Sequence, residues 1–298
     1  MNDQLAGVLP VISTPFRDDD TIDQLSLERE IDWLIDCEVD GLTIAMVSEV
    51  LKLGDAERRE LTDMVVALAA GRCPVIASVG AESTRVAVTH ARAAESAGVA
   101  AVMAIPPMAV ALPDHEIERY YRAILDSVGV PVVVQDASGY VGRALPISLY
   151  MSLLESYGPE RVLFKPEAVP IGPRLSELHS VSDGRARVFE GTGGLSLVDS
   201  YQRGIVGTMP GAEIPWAIVA LWRALSSNDW PMINRIQGPL SALISIQTSL
   251  DSFIAVEKHL LVRQGVFEST HRRGPLGYEL DQQTTAEVDR LVDLLRGA

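Results

Sequence analysis

Lysine is scarce in this 298-residue chain: of its 25 lysine and arginine residues only three are lysine, Lys52, Lys165 and Lys258. Cysteine is scarcer. Cys37 and Cys73 are too few for a disulfide framework and lack CxxC spacing, which fits a reducing compartment. The five histidines, His90, His115, His179, His259 and His271, show neither HxxH nor HExxH spacing, so no metal site is expected. No stretch is apolar for long enough to cross a bilayer, and Met1 to Gly7 lacks the basic-then-apolar pattern of a signal peptide; the expected address is cytoplasmic. A basic surplus is missing too. The net charge of −15 and the isoelectric point near 4.7 exclude nucleic acid and anionic membrane as expected partners, since both call for a basic surface.

Apolar content is ample at 47%, enough for one large core. Short β-branched runs alternate with longer segments of helical period. The expected strands are 7–13, 41–46, 74–79, 99–105, 131–135, 161–165, 186–190 and 205–209. Helical stretches lie between them, among them 26–37, 55–70, 83–97 with Ser83 as N-cap and Gly98 as C-terminal stop, and 113–128. Eight repeated βα units with near-continuous apolar strands predict an α/β fold, a (β/α)8 TIM barrel closed by right-handed crossovers. After about Asn228 the strand pattern ends, and 230–247, 250–264 and 284–295 read as helices. The expected organisation is a barrel over 1–227 and a C-terminal helical extension over 228–298, one structural unit without a linker.

In such barrels the chemistry collects where strands end. Lys165 closes the run Arg161-Val162-Leu163-Phe164-Lys165-Pro166. A lysine drawn into that rim loses hydration and is easier to deprotonate, which suits a nucleophilic amine that condenses with a carbonyl. Its ordinary structural role would be to pair with Glu167, two residues on. The other strand ends offer Val47, Ser48 and Glu49, then Gln135 and Asp136, then Glu190 and Gly191, and finally Met209. Two chemistries fit. In one, Lys165 attacks a 2-keto acid, Ser48 and neighbouring backbone N–H groups hold the carboxylate, and Glu49 moves protons. In the other, Asp136, Glu167 and Glu190 ligate a divalent cation and Lys165 is a base. Pro166 weighs against the second, because it restricts Lys165 to extended backbone. The glycines of Gly191-Thr192-Gly193-Gly194 could cradle a phosphate, but no lysine or arginine lies among them.

The chain resembles the dihydrodipicolinate synthase and N-acetylneuraminate lyase group of class I aldolase-type barrels. The likeness rests on Gly7-Val8-Leu9-Pro10 with Thr14-Pro15-Phe16, Asp40-Gly41-Leu42, Ile105-Pro106-Pro107, Phe164-Lys165 and Gly204-Ile205-Val206-Gly207, and spans nearly the whole length. The resemblance implies that Lys165 forms the imine and that no other cofactor is needed. It also implies a homotetramer or homodimer. The departures bear on substrate. The family's Gly-Thr-Thr-Gly-Glu loop is here Ala45-Met46-Val47-Ser48-Glu49, its strand-five tyrosine is Gln135, its cross-subunit tyrosine is lost at Pro107 and Met108, and its synthase arginine falls at Tyr140. Ser48-Glu49 with Gln135-Asp136-Ala137 looks most like the branch containing L-2-keto-3-deoxyarabonate dehydratases.

That branch implies dehydration of a 2-keto-3-deoxy sugar acid. An imine at C2 acidifies the C3 proton, and the resulting enamine expels the C4 hydroxyl once an acid protonates it. Retro-aldol cleavage instead needs the C4 hydroxyl deprotonated, the task of the missing tyrosine. Glu49 is the expected acid/base, a role that requires a buried setting. Ser48 and Gln135 are expected to hold substrate, with Val47, Asp136, Tyr140, Glu190, Gly191 and Met209 lining the pocket. The alternatives are a retro-aldol lyase releasing pyruvate, a metal-dependent barrel enzyme and a non-catalytic keto-acid-binding protein.

Overall fold

A computed structural model describes residues 5–139 and 144–298. Its centre is one sheet of eight parallel strands, β1 (Gly7–Val8), β2 (Leu42–Ile44), β3 (Val75–Ser78), β4 (Ala101–Ala104), β5 (Val132–Gln135), β6 (Val162–Lys165), β7 (Arg187–Glu190) and β8 (Gly207–Thr208). Their order is β1-β8-β7-β6-β5-β4-β3-β2. A parallel bridge between Val11 and Thr43 joins the two ends. There the Thr43 N–H donates to Pro10 O at 2.8 Å and the Ile12 N–H to Thr43 O at 2.9 Å. The ring therefore closes as the βα repeat predicts. The first strand is shorter than the expected 7–13: Pro10 carries no N–H for the ladder, and regular pairing gives way to isolated bridges from Val11 to Thr43 and Gly211.

Each strand buries both faces, which is why its sequence is an unbroken apolar run. On β5, Val132 and Val134 join the layer between sheet and helices, while Val133 points to the barrel axis. Ile76, Ala101, Met103, Leu163 and Phe189 fill the axis from the other strands. This alternation decides everything at the rim. Two residues beyond an axial residue, the side chain again points into the barrel; one residue beyond, it points out.

The βα units are completed by α1 (Gln24–Asp36), α2 (Asp55–Ala69), α3 (Thr84–Ala97), α4 (Asp114–Ser127), α5 (Ile147–Tyr157), α6 (Ile171–Val181), α7 (Leu197–Gln202) and α8 (Pro215–Ser227). Gly98 ends α3 in left-handed backbone, φ 96°, as expected. Ser83 stands at the N-cap position, but its hydroxyl makes no capping bond. Three further helices follow: α9 (Trp230–Ile244), α10 (Leu250–Arg263) and α11 (Gln282–Arg296). Helix α10 starts with a reciprocal cap, the Ser252 N–H donating to Ser249 Oγ and the Ser249 N–H to Ser252 Oγ. Phe253, Ile254, Val256, Leu260 and Leu261 are all buried, so α10 is enclosed on every side despite lying outside the ring of strands. No helix among the described residues is long and apolar enough to cross a membrane.

Candidate active site

Leu163 points to the barrel axis, so Lys165, two residues on at the end of β6, does as well. By the same rule Gln135 follows Val133. Gln135 and Lys165 are register partners in the β5–β6 ladder. Pro166 keeps the next step extended, so the alternation carries past the strand to Glu167, and all three side chains meet. Lys165 Nζ lies 3.0 Å from Glu167 Oε1, both side chains nearly sealed from solvent. Gln135 Nε2 donates to the same oxygen at 2.8 Å. Glu167 Oε2 is buried and has no hydrogen-bond partner among the described residues, so it is free to accept or give a proton.

The backbone of Glu167 is fixed from behind. Its N–H donates to Asp136 Oδ1 at 2.9 Å, and the Tyr150 hydroxyl donates to Asp136 Oδ2 at 3.3 Å. Burial, with Asp136 nearby, pushes the Tyr150 phenol well above its usual range, so it stays a donor.

Lys165 and Gln135 open into a small pocket at the barrel mouth. Ala45, Met46 and Val47 form one wall, Gly191 and Gly193 a second, and Met209, Gly211 and Phe253 a third. A side chain at Gly191 would push on both Lys165 and Glu167. A Cβ there would sit 2.7 Å from Lys165 Cε and 2.9 Å from Glu167 Oε1.

A match to the model of the dihydrodipicolinate synthetase family covers residues 4–294. The chain belongs to that family, whose members are lyases of the aldolase and dehydratase type. It is 30% identical to an L-2-keto-3-deoxyarabonate dehydratase of Azospirillum brasilense, over 95% of this chain and 92% of the relative. It is 29% identical to a 4-hydroxy-tetrahydrodipicolinate synthase of Thermomicrobium roseum, over 82% of each. Among solved structures, a dihydrodipicolinate synthase from Rhodopseudomonas palustris superposes with a TM-score of 0.88 at 26% identity, over 98% of both chains.

Of the residues expected at the site, Lys165, Gln135, Val47, Gly191 and Met209 line the pocket. Ser48, Glu49, Asp136 and Glu190 do not. Ser48 Oγ donates to Ile12 O at 2.6 Å and accepts from the Ala45 N–H at 3.1 Å, so it braces the turn instead of facing substrate. Glu49 takes left-handed backbone, φ 55°, and turns its carboxylate away to Lys258 Nζ at 2.5 Å and Lys52 Nζ at 3.6 Å. It was expected as an acid/base, but it pairs with these lysines and does not line the pocket with Lys165. Glu190 follows the axial Phe189 by one residue and faces outward, accepting from Thr208 Oγ1 at 2.7 Å and from the Thr192 N–H at 2.6 Å. Asp136 faces outward for the same reason of parity. The three carboxylates of the metal alternative therefore do not converge, and the described residues contain no group of three or more His, Cys, Asp or Glu placed to hold a metal ion. Tyr140 lies outside the described residues.

Phe253 was not foreseen at the site, because nothing near it in the sequence says that α10 reaches the barrel mouth. Glu167 was visible as the pairing partner of Lys165 but had not been given a part in the imine chemistry.

Proposed function

We propose that the chain is a Schiff-base-forming lyase that dehydrates a 2-keto-3-deoxy sugar acid, with no cofactor beyond the imine on Lys165. The observation that carries this reading is the buried contact of Lys165 Nζ with Glu167 Oε1 at 3.0 Å beside a pocket at the strand ends. Glu167 takes the ammonium proton, the free amine attacks C2 of the substrate, and Glu167 hands that proton to the C2 oxygen, which departs as water to leave the protonated imine and a free carboxylate. Glu167 then removes the C3 proton, leaving an enamine, and returns a proton to the C4 hydroxyl as the C4–O bond breaks and water departs. Hydrolysis of the imine restores Lys165 and releases an unsaturated 2-keto acid. Gln135, on the oxygen that faces Lys165, holds the Glu167 carboxylate in line. The backbone of the turn at Met46–Ser48 receives the substrate carboxylate.

Dehydration is favoured over retro-aldol cleavage because Gln135, which lines the pocket, stands where the resemblance would place the tyrosine that deprotonates the C4 hydroxyl for cleavage. The Azospirillum relative's name, a 2-keto-3-deoxy acid dehydratase, supports the same choice. A cytoplasmic homotetramer or homodimer belongs to the proposal. The test is borohydride reduction with pyruvate or 2-keto-3-deoxypentonate, followed by peptide mass spectrometry. An adduct confined to the Lys165 peptide is expected. No adduct with either ligand would overturn the reading. Pyruvate release from the pentonate, in place of loss of water, would overturn the dehydratase assignment and leave an aldolase.

A further inference from the structure

We propose that Phe253 is the residue that fixes substrate length, closing the Lys165 pocket to 2-keto-3-deoxy acids longer than five carbons. The inference rests on the lyase reading above and adds to it a determinant contributed by a helix outside the barrel.

The substrate's chain is accounted for from one end. Its carboxylate lies toward Met46 and Val47, C2 meets Lys165 Nζ, and C3 and C4 lie beside Glu167 and Gln135. Beyond them the lining is Val11, Met209, Pro210, the glycines and the ring of Phe253, its one aromatic side chain among the described residues. Phe253 is buried. A Cβ on Gly211 would stand 2.6 Å from Phe253 Cζ and 2.7 Å from Cε1, and one on Gly193 would stand 3.6 Å from Cε2. The ring thus rests on the bare backbone of the loops after β7 and β8, filling space that side chains would take elsewhere. Gly211 and Phe253 form one packing solution, while at Gly193 a Cβ would make only ordinary contact with the ring.

The ring cannot swing aside easily, because α10 is tied to the barrel mouth on both flanks of it. Lys258 is ion-paired with Glu49 on the loop after β2. Glu257 Oε1 accepts from the Ala212 N–H at 2.8 Å, on the loop after β8. Lys52 reaches Asp251 at 3.5 Å at the start of the helix. A sixth substrate carbon would have to displace an aromatic ring held by these contacts, and a methylene's worth of misfit discriminates by roughly 10–200-fold.

The experiment compares kcat/KM for five-carbon and six-carbon 2-keto-3-deoxy acids in wild type, Phe253→Ala and Phe253→Leu. Wild type is expected to prefer the five-carbon acid at least tenfold. The alanine variant should narrow that ratio roughly tenfold or more, with leucine between; the leucine variant carries the test alone if alanine does not fold. Equal use of both acids by wild type, or a ratio unchanged in a folded variant, overturns the proposal. Wild type that forms no borohydride adduct with the five-carbon acid overturns the lyase reading beneath it, so the two failures are told apart by the adduct.

Discussion

Lys258 Nζ and Glu49 Oε1 are 2.5 Å apart with both side chains shut off from solvent, and they join α10 to the turn that forms one wall of the pocket. Glu49 holds left-handed backbone to make the contact, a conformation that costs a side-chain-bearing residue about 1–3 kcal/mol and persists only where surrounding structure enforces it. Burial lowers the Lys258 pKa, and Glu49 opposes that by favouring the charged form. Glu49→Gln should destabilise the fold by about 3–5 kcal/mol, because it strands a buried ammonium. Urea unfolding measures this. The double variant Glu49→Gln with Lys258→Met should recover much of the loss, and a catalytic role for Glu49 would instead leave stability intact.

Glu167→Gln tests the proton shuttle. The amide still accepts from Gln135, so the pocket keeps its shape, but it cannot take or give a proton. Turnover should fall by about 10²–10⁴-fold, and borohydride trapping of a ligand on Lys165 should slow with it. Undiminished turnover would remove Glu167 from the mechanism.

Gly191→Ala should block the site without unfolding the barrel. The new methyl intrudes on Lys165 Cε and Glu167 Oε1, and displacement of such groups by about 1 Å costs on the order of 10²-fold in rate. Steady-state kinetics beside a thermal melt would separate the two effects, and unchanged kcat/KM would contradict the placement.

The pH dependence of stability should carry the mark of Glu213 and Glu257. Burial raises both carboxyls above the ordinary value of 4.5, and for Glu257 the neighbouring Glu213 raises it further. Each native carboxyl holds its proton more tightly than the unfolded chain does. Their contribution is therefore fully present below about pH 4.5 and is lost as pH rises through the native values. Glu257→Gln, which still accepts from the Ala212 N–H, should flatten the fall in melting temperature between acid and neutral pH. An unaltered slope would assign the proton uptake elsewhere.

The barrel was legible because parallel strands buried on two faces write themselves as continuous apolar runs, as Val132-Val133-Val134 does before Gln135. Lys165 and Gln135 were legible because each ends such a run. Glu190 and Asp136 end runs equally well, yet they face outward. The strand-end rule locates a residue along the barrel axis without saying on which side of the sheet it lies, and only the parity set by Phe189 and Val133 decides that. The pairing of Glu49 was not legible for another reason: its partner Lys258 lies on α10, and no local pattern announces a contact across that span. The scarcity of lysine did carry information. Two of the three pair with Glu49 and the third with Glu167, so every lysine ends on one of two buried carboxylates.

Val11 and Phe253 share one small pocket although they come from opposite ends of the chain. During synthesis all eight strands have been made once Thr208 is added, yet the helix that supplies the last wall begins only at Leu250. Contacts of such long sequence separation form late, because the loop they close must be ordered first. A nascent barrel thus carries Lys165 in an open cup, and the last wall of the pocket arrives only once α10 has followed the strands.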